Sequence, residues 1–229
     1  SPPNSSRRPS RGHKKRLTRE TPVAAPADKH WRWLGYYWRL RRVPPRGTAL
    51  KAIELLKDTP KTRPVLDLGA GHGPDALAYL KAGWPVIAVE PNPVGLAITW
   101  LRAFAAGKAS SLKCIQSDYT EFEPPECAVV NAGFSLPFCP VDKWPDLWRR
   151  IENALPAGGV FAGQFFGPAD TWAKNLLKNA PSQHFTEKYI RELFAGYHIV
   201  DFKEVREAGA GPDGVPKQWH VYHVVARKR

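Results

Sequence analysis

Val65-Leu66-Asp67-Leu68-Gly69-Ala70-Gly71-His72-Gly73-Pro74-Asp75 constrains the fold of this chain more than any other stretch. Val65 to Leu68 carry the apolar, β-branched content of a buried strand. Pro74 to Leu80 read as the start of a helix, with proline tolerated in its first turn. Between them lies a turn in which every second residue is glycine. A strand, a glycine turn and a helix in that order bring bare backbone up to a ligand, because glycine accepts the required dihedrals and leaves no side chain in the way.

The spacing narrows the ligand. A dinucleotide turn reads G-x-G-x-x-G, whereas Gly69, Gly71 and Gly73 stand two apart and follow Asp67. A carboxylate beside a helix N-terminus repels a pyrophosphate but holds an ammonium group. No Gly-Lys-Ser/Thr follows, which excludes the phosphate-cradling P-loop. Pro85 to Val89 read as a second apolar strand, and Glu90 stands at its C-terminal end, where an acid can accept both hydroxyls of a ribose.

With 229 residues the chain has room for one α/β domain with a substantial core. No apolar run approaches the roughly 18 residues of a membrane span. Cys114, Cys127 and Cys139 lack C-x-x-C spacing, so neither a disulfide framework nor a zinc knuckle is expected and a reducing, cytoplasmic setting is the default. The net charge of +13 is unevenly spread: Ser1 to His30 hold eight basic residues against Glu20 and Asp28. That segment has too few large apolar residues to offset its ordering entropy, so residues 1–30 are expected to form a disordered basic tail. As such it serves as a nucleic-acid-binding arm, as the remnant of a targeting peptide or simply as a solubilising tail.

Residues 31–57 read as an N-terminal helical lid segment. His30 to Arg42 is dense in aromatics and arginine, able to pack on the domain, to shield a cation with π faces or to stack nucleobases. Tyr36, Tyr37 and Arg46 are its candidates for the lid and the acceptor side. Thr48 is expected to cap a helix from Ala49 to Lys57 with Leu50, Ile53 and Leu56 on one face. A helix ending near Ala105 follows the second strand, and Leu112 to Gln116 form a third strand that ends at Ser117-Asp118-Tyr119. Cys127 to Asn131 form a fourth, running into Ala132-Gly133-Phe134-Ser135-Leu136-Pro137-Phe138. A helix from Lys143 to Leu155 and a fifth strand from Val160 to Phe166 come next. Asp170 is placed to cap a short helix, and another runs from Glu187 to about Ala195. Two closing strands, Tyr197 to Glu204 and Lys217 to Arg227, flank a loop at Ala208 to Gly214.

D-x-G-x-G-x-G at Asp67 to Gly73, the acid Glu90 closing the next strand, and Leu155-Pro156-Ala157-Gly158-Gly159 before the fifth strand resemble class I S-adenosylmethionine-dependent methyltransferases. Pro44-Pro45-Arg46, Asn131 to Phe138, Gly163 to Gly167 and Lys217 to His223 are similar to the tellurite-resistance type of small-molecule methyltransferase. The resemblance covers roughly Tyr36 to Arg227. It implies a methyltransferase domain over 31–229 with a Rossmann-like, seven-stranded, mostly parallel sheet. Helices would cover both faces, and a C-terminal hairpin would supply the antiparallel strand.

The resemblance also implies S-adenosylmethionine as cofactor. Asp67, Gly69, Gly71 and Gly73 would hold its amino-acid end and Glu90 its ribose. Asp118 would bind the adenine amino group beside the Tyr119 ring, and Asn131 and Phe134 would line the sulfonium pocket. Ala70, Pro91 and Asn92 complete that cofactor-binding set. Methyl transfer from a sulfonium is an in-line displacement that depends chiefly on alignment and exclusion of water. A base, where the acceptor needs one, would come from His184 or His220, with His72 and His223 as alternatives and Tyr37 as a further catalytic candidate. No metal site is expected, since His220 and His223 stand three apart on a strand and point to opposite faces. The segment Asn131 to Phe134 is not N-P-P-Y, which counts against methylation of nucleobase amines. The expected acceptor is therefore a small molecule. An RNA or other macromolecule recruited through the tail, and a non-catalytic cofactor-binding protein, are the alternatives.

Overall fold

The structure, a computed structural model, describes residues 35, 37, 42–174, 182–211 and 214–229. The expected tail and residues 31–34, 36 and 38–41 of the lid segment, Tyr36 included, lie outside the described residues. Seven strands form one sheet: β1 (Val65–Leu68), β2 (Val86–Val89), β3 (Leu112–Ile115), β4 (Val129–Ala132), β5 (Val160–Phe166), β6 (Tyr197–Ala210) and β7 (Pro216–Lys228). Their order is β3-β2-β1-β4-β5-β7-β6. The first five run parallel, and β7 pairs antiparallel with both β5 and β6. The order reverses between β1 and β4, which opens a crevice at their C-terminal ends.

Successive strand residues face opposite sides, and two cores result. On one side Leu66, Leu68, Val130, Phe161, Phe165 and Tyr222 pack against α4 (Trp144–Ala154) and α6 (Glu187–Leu193). On the other, Val65, Val86, Val129, Val160 and Ala162 meet α1 (Gly47–Leu55), α2 (Pro74–Lys81) and Ala103 of α3 (Pro93–Ala105). A one-turn helix, α5 (Thr171–Lys174), follows β5. The Asp170 side chain caps it by accepting from Trp172 N at 3.0 Å, as its sequence position suggested. No helix among the described residues is long and apolar enough to cross a membrane.

Two local expectations are corrected. Helix α1 starts at Gly47 with Arg46 at its N-cap, and Thr48 is a buried member of the helix whose hydroxyl accepts from Gln164. Its buried face is Ala49, Ala52 and Leu56, while Leu50 is 48% exposed. The closing hairpin is also longer than its composition suggests. Pairing continues to Ala210↔Pro216, so the loop contracts to Gly211–Val215. Gly209 keeps the ladder intact there: a Cβ at this position would lie 3.2 Å from the Trp219 indole.

Candidate functional site

The crevice between β1 and β4 widens into a cavity of about 670 Å³, within the range of small-molecule sites. The glycine turn forms one end. Gly69 and Gly71 hold φ +71° and +57°, and a Cβ on Gly69 would come within 2.6 Å of Ser135 Cβ. Ala70, Pro74 and Pro91 also line this end. Gly73 is the left-handed N-cap of α2 and packs against Thr99. Asn92 caps α3, its Oδ1 accepting from Val94 N at 2.9 Å.

Three carboxyl groups surround the turn. Glu90 accepts from Gly71 N and from Asn92 N, each at 2.9 Å, which fixes its plane and leaves lone pairs on both oxygens. Burial raises its pKa, and the two N–H bonds oppose the rise. Asp67 and Asp75 lie on the cavity wall and are tied together by Asn131, whose Nδ2 donates to Asp67 Oδ1 at 2.8 Å and to Asp75 Oδ2 at 3.2 Å. Asp75 Oδ1 accepts from Arg46 N at 2.7 Å. Burial, then the Asp75 charge, pushes the Asp67 pKa up to about 7. Asp67 Oδ2 is buried without a hydrogen-bond partner among the described residues. A buried acceptor left unpaired is costly, so this atom is a seat for a donor that arrives with a ligand.

Tyr37 closes over the turn: its ring is 5.5 Å from His72, and both line the cavity. Tyr119 lines the opposite wall beyond Glu90 and donates from its hydroxyl to Ser135 O at 2.9 Å. Asp118 is exposed and not among the lining residues, and its Oδ1 accepts from both Thr120 N and Thr120 Oγ1 at 2.8 Å.

Beyond the turn the wall becomes aromatic. Phe134 stands at φ +59°, a left-handed conformation that costs a non-glycine residue of order 1–3 kcal/mol. Its N–H donates to Gln164 Oε1 at 3.2 Å, and this bond holds the ring at the cavity wall. Phe138, Phe166, Trp172, Trp219 and His223 continue the lining. Of the three catalytic candidates only Tyr37 is among the lining residues. His184 stacks on Phe166 with centroids 5.9 Å apart. His220 is buried, its Nδ1 accepting from Ala169 N at 3.0 Å and its Nε2 2.7 Å from Glu204 Oε1.

Asp75, Gln164, Phe166, Trp172 and Trp219 are site residues that sequence reasoning missed. Asp75 reads as an ordinary acid in a first helical turn. Gln164 did leave a signal, as the one polar residue inside the apolar run Val160 to Phe166, where a buried amide needs partners on every side.

Residues 66–163 match the methyltransferase domain family. No curated protein matches the chain in sequence. Solved structures with the same fold include TehB from Haemophilus influenzae, at 15% identity and a TM-score of 0.67 over 85% of this chain. The chain spans 66% of that protein's length. The 1,6-didemethyltoxoflavin-N1-methyltransferase of Burkholderia thailandensis, solved with its namesake and S-adenosylhomocysteine, is 22% identical with a TM-score of 0.58, over 91% of this chain and 92% of its own. Magnesium protoporphyrin IX methyltransferase from Synechocystis PCC 6803, with bound S-adenosylhomocysteine, is 11% identical with a TM-score of 0.62, over 86% and 94%. Residues 66–163 thus match a methyltransferase domain, and the chain has the fold of methyltransferases solved with S-adenosylhomocysteine.

Proposed function

We propose that this chain transfers a methyl group from S-adenosylmethionine to a small-molecule nucleophile. The observation that carries the reading is the unpaired, buried Asp67 Oδ2 beside a glycine turn whose Gly71 N–H orients Glu90. The residues fit the cofactor. Asp67, steadied by Asn131, offers an acceptor to an ammonium group, and Glu90 offers two oriented oxygens to a diol. The Tyr119 ring lies where a base can pack, and Asp118 is assigned to the adenine amino group at the strand end. Ala70, Pro91 and Asn92 complete the set around the turn.

Bound there, S-adenosylmethionine supplies an electrophilic methyl group on a sulfonium. The residues around it orient the partners and exclude water, an effect able to supply about 7–11 kcal/mol. Tyr37 covers the cofactor end, and Phe134 borders the sulfonium pocket, where an aromatic face favours a cation. His184 and His220 lie behind this wall. A small acceptor is favoured over a nucleic acid because the cavity is lined by rings on several elements and because two of the neighbouring structures have small-molecule substrates in their names. Three free thiols support a reducing, cytoplasmic setting.

Calorimetric titration of S-adenosylmethionine and S-adenosylhomocysteine into the wild type and into an Asp67→Ala, Glu90→Ala variant tests the reading. Micromolar binding that disappears in a still-folded variant is the expected result. A wild type that binds neither ligand overturns it.

A further inference from the structure

The half of the cavity away from the glycine turn bears on the acceptor, an inference that rests on the reading just given. Phe134, Phe166, Trp172 and Trp219 form one continuous ring surface. Phe166 lies 6.0 Å from Phe134, 5.5 Å from Trp172 and 6.1 Å from Trp219, centroid to centroid. Trp219 is 6.2 Å from Phe134 and 5.7 Å from Trp172. Phe134, Trp172 and Trp219 are partly exposed and line the cavity, so they present π surface to a ligand, while Phe166 is buried and backs them. The left-handed backbone of Phe134 adds weight, since strain at a residue of this size is retained where the ring's position matters.

Two polar groups stand over this wall. The Arg46 guanidinium lies 4.9 Å from the Phe134 centroid, lines the cavity, and makes no ion pair among the described residues. His223 meets the Phe134 ring edge-on, at 6.3 Å and 88°. Its tautomer follows from Gln164. Oε1 of that amide accepts from Phe134 N, so Nε2 supplies the hydrogens, one to Thr48 Oγ1 at 2.8 Å and one toward His223 Nδ1 at 3.5 Å. With Nδ1 as acceptor, the neutral imidazole carries its proton on Nε2. Burial, with the Lys203 and Arg46 charges nearby, favours that neutral form. Arg46 is therefore the charged donor at this wall, and His223 is a second polar group beside it. Glu207, exposed on the rim, Asp75, whose charge couples to Arg46, and Asp201, which acts on His223, are the opposing charges.

We infer that the acceptor is a flat, conjugated molecule bearing an oxyanion, such as an aromatic carboxylate or phenolate, with its ring on the wall of Phe134, Trp172 and Trp219 and its oxygen on Arg46 and His223. The wall selects flatness because stacking needs a π face. The guanidinium selects the oxyanion because its planar fork matches a pair of oxygens.

Three probes separate the parts: 2-naphthoate, its uncharged amide, and cyclohexanecarboxylate, which keeps the charge without the π face. Binding is measured at pH 7.5 by tryptophan quenching and calorimetry, with and without S-adenosylhomocysteine. The expected result is 2-naphthoate bound at least tenfold more tightly than either other probe. Arg46→Gln should lower naphthoate affinity about tenfold without affecting the amide, and Trp219→Leu should weaken both aromatic probes. Arg46→Lys, which keeps the charge, serves as the second variant, with an intermediate affinity expected. Equal binding of the three probes, no binding of naphthoate, or an Arg46→Gln variant with unchanged selectivity overturns the inference. S-adenosylhomocysteine is titrated separately into the same protein. Its failure to bind strikes at the cofactor reading, whereas its binding without naphthoate recognition strikes only at the acceptor class.

Discussion

Asp67 and Asp75 share a single amide, with Asn131 Nδ2 2.8 Å from the one and 3.2 Å from the other. Two carboxyl groups held this close out of water resist double ionisation: burial raises the pKa of both, and that of Asp67, with one oxygen unpaired, is pushed up to about 7. The pair therefore takes up a proton as pH falls through about 7, and a cationic ligand opposes that uptake.

The first prediction is a pH dependence with a definite sign. The folded-state pKa of Asp67 lies above its ordinary value of 3.8, so this carboxyl favours the folded state at low pH. That contribution is lost as pH rises through the window up to about 7. Ligand affinity runs the other way: S-adenosylmethionine should bind about tenfold more weakly at pH 6.0 than at pH 7.5, with up to one proton released per molecule bound. Calorimetry in buffers of different ionisation enthalpy reads both quantities, and Asp67→Asn should flatten the dependence. Affinity that is equal or greater at pH 6.0 would refute the proton linkage.

A second prediction concerns Gly95, in the first turn of α3. Alanine there gains up to about 1 kcal/mol of helix propensity. Yet the added Cβ would lie 2.6 Å from Gly71 O and 2.8 Å from the Tyr37 hydroxyl. The backbone of the cofactor turn must then move, at a typical cost of about 1–3 kcal/mol for overpacking. Gly95→Ala should therefore lower the melting temperature and weaken S-adenosylmethionine binding by tenfold or more. A stabilised variant that binds normally would mean that α3 can shift freely against the turn.

The features that were legible in the sequence are those whose signal is local. Val65 to Asp75 holds its strand, turn and helix within one short run, and Glu90 follows an apolar strand directly, so both could be placed before any tertiary contact was known. Features that depend on distant partners were hidden. Asp75 becomes a site residue only because Asn131 and the Arg46 backbone converge on it. Ala208-Gly209-Ala210 reads as loop by composition, whereas in the hairpin Gly209 makes room for Trp219. Phe134 was placed at the pocket by resemblance alone. Its unusual backbone depends on Gln164, thirty residues away.

Gln164 is the subject of the third prediction. It is fully buried and joins Phe134 N to Thr48 Oγ1. Leucine fills similar space but leaves both groups without their partner, at about 1–3 kcal/mol each. Gln164→Leu should lose roughly 2–6 kcal/mol in urea denaturation, by the same reckoning, and should bind the aromatic probes more weakly because Phe134 is released. A loss below about 0.5 kcal/mol would show that water replaces the amide and that Phe134 keeps its conformation unaided.

The last prediction tests how the aromatic wall is fastened. Lys217 reaches Asp170 in a buried ion pair, with its Nζ 4.1 Å from the Trp172 centroid and 4.2 Å from that of Trp219. Asp170 also caps Trp172 N and accepts from His220 N at 3.1 Å, so one carboxylate ties the end of β5 to both α5 and β7. Removing one partner of a buried pair leaves the other charge uncompensated, at about 3–5 kcal/mol, whereas replacing both with neutral groups of similar size is often nearly neutral. Lys217→Met alone should therefore be strongly destabilising, and adding Asp170→Asn should restore part of the loss, since the amide oxygen still caps α5 while its NH2 can no longer accept from His220 N. Denaturant unfolding of the two single variants and the double variant measures the coupling directly. Additive losses would show that the pair is hydrated enough for each charge to stand alone, and would assign the order of Trp172 and Trp219 to ring packing instead.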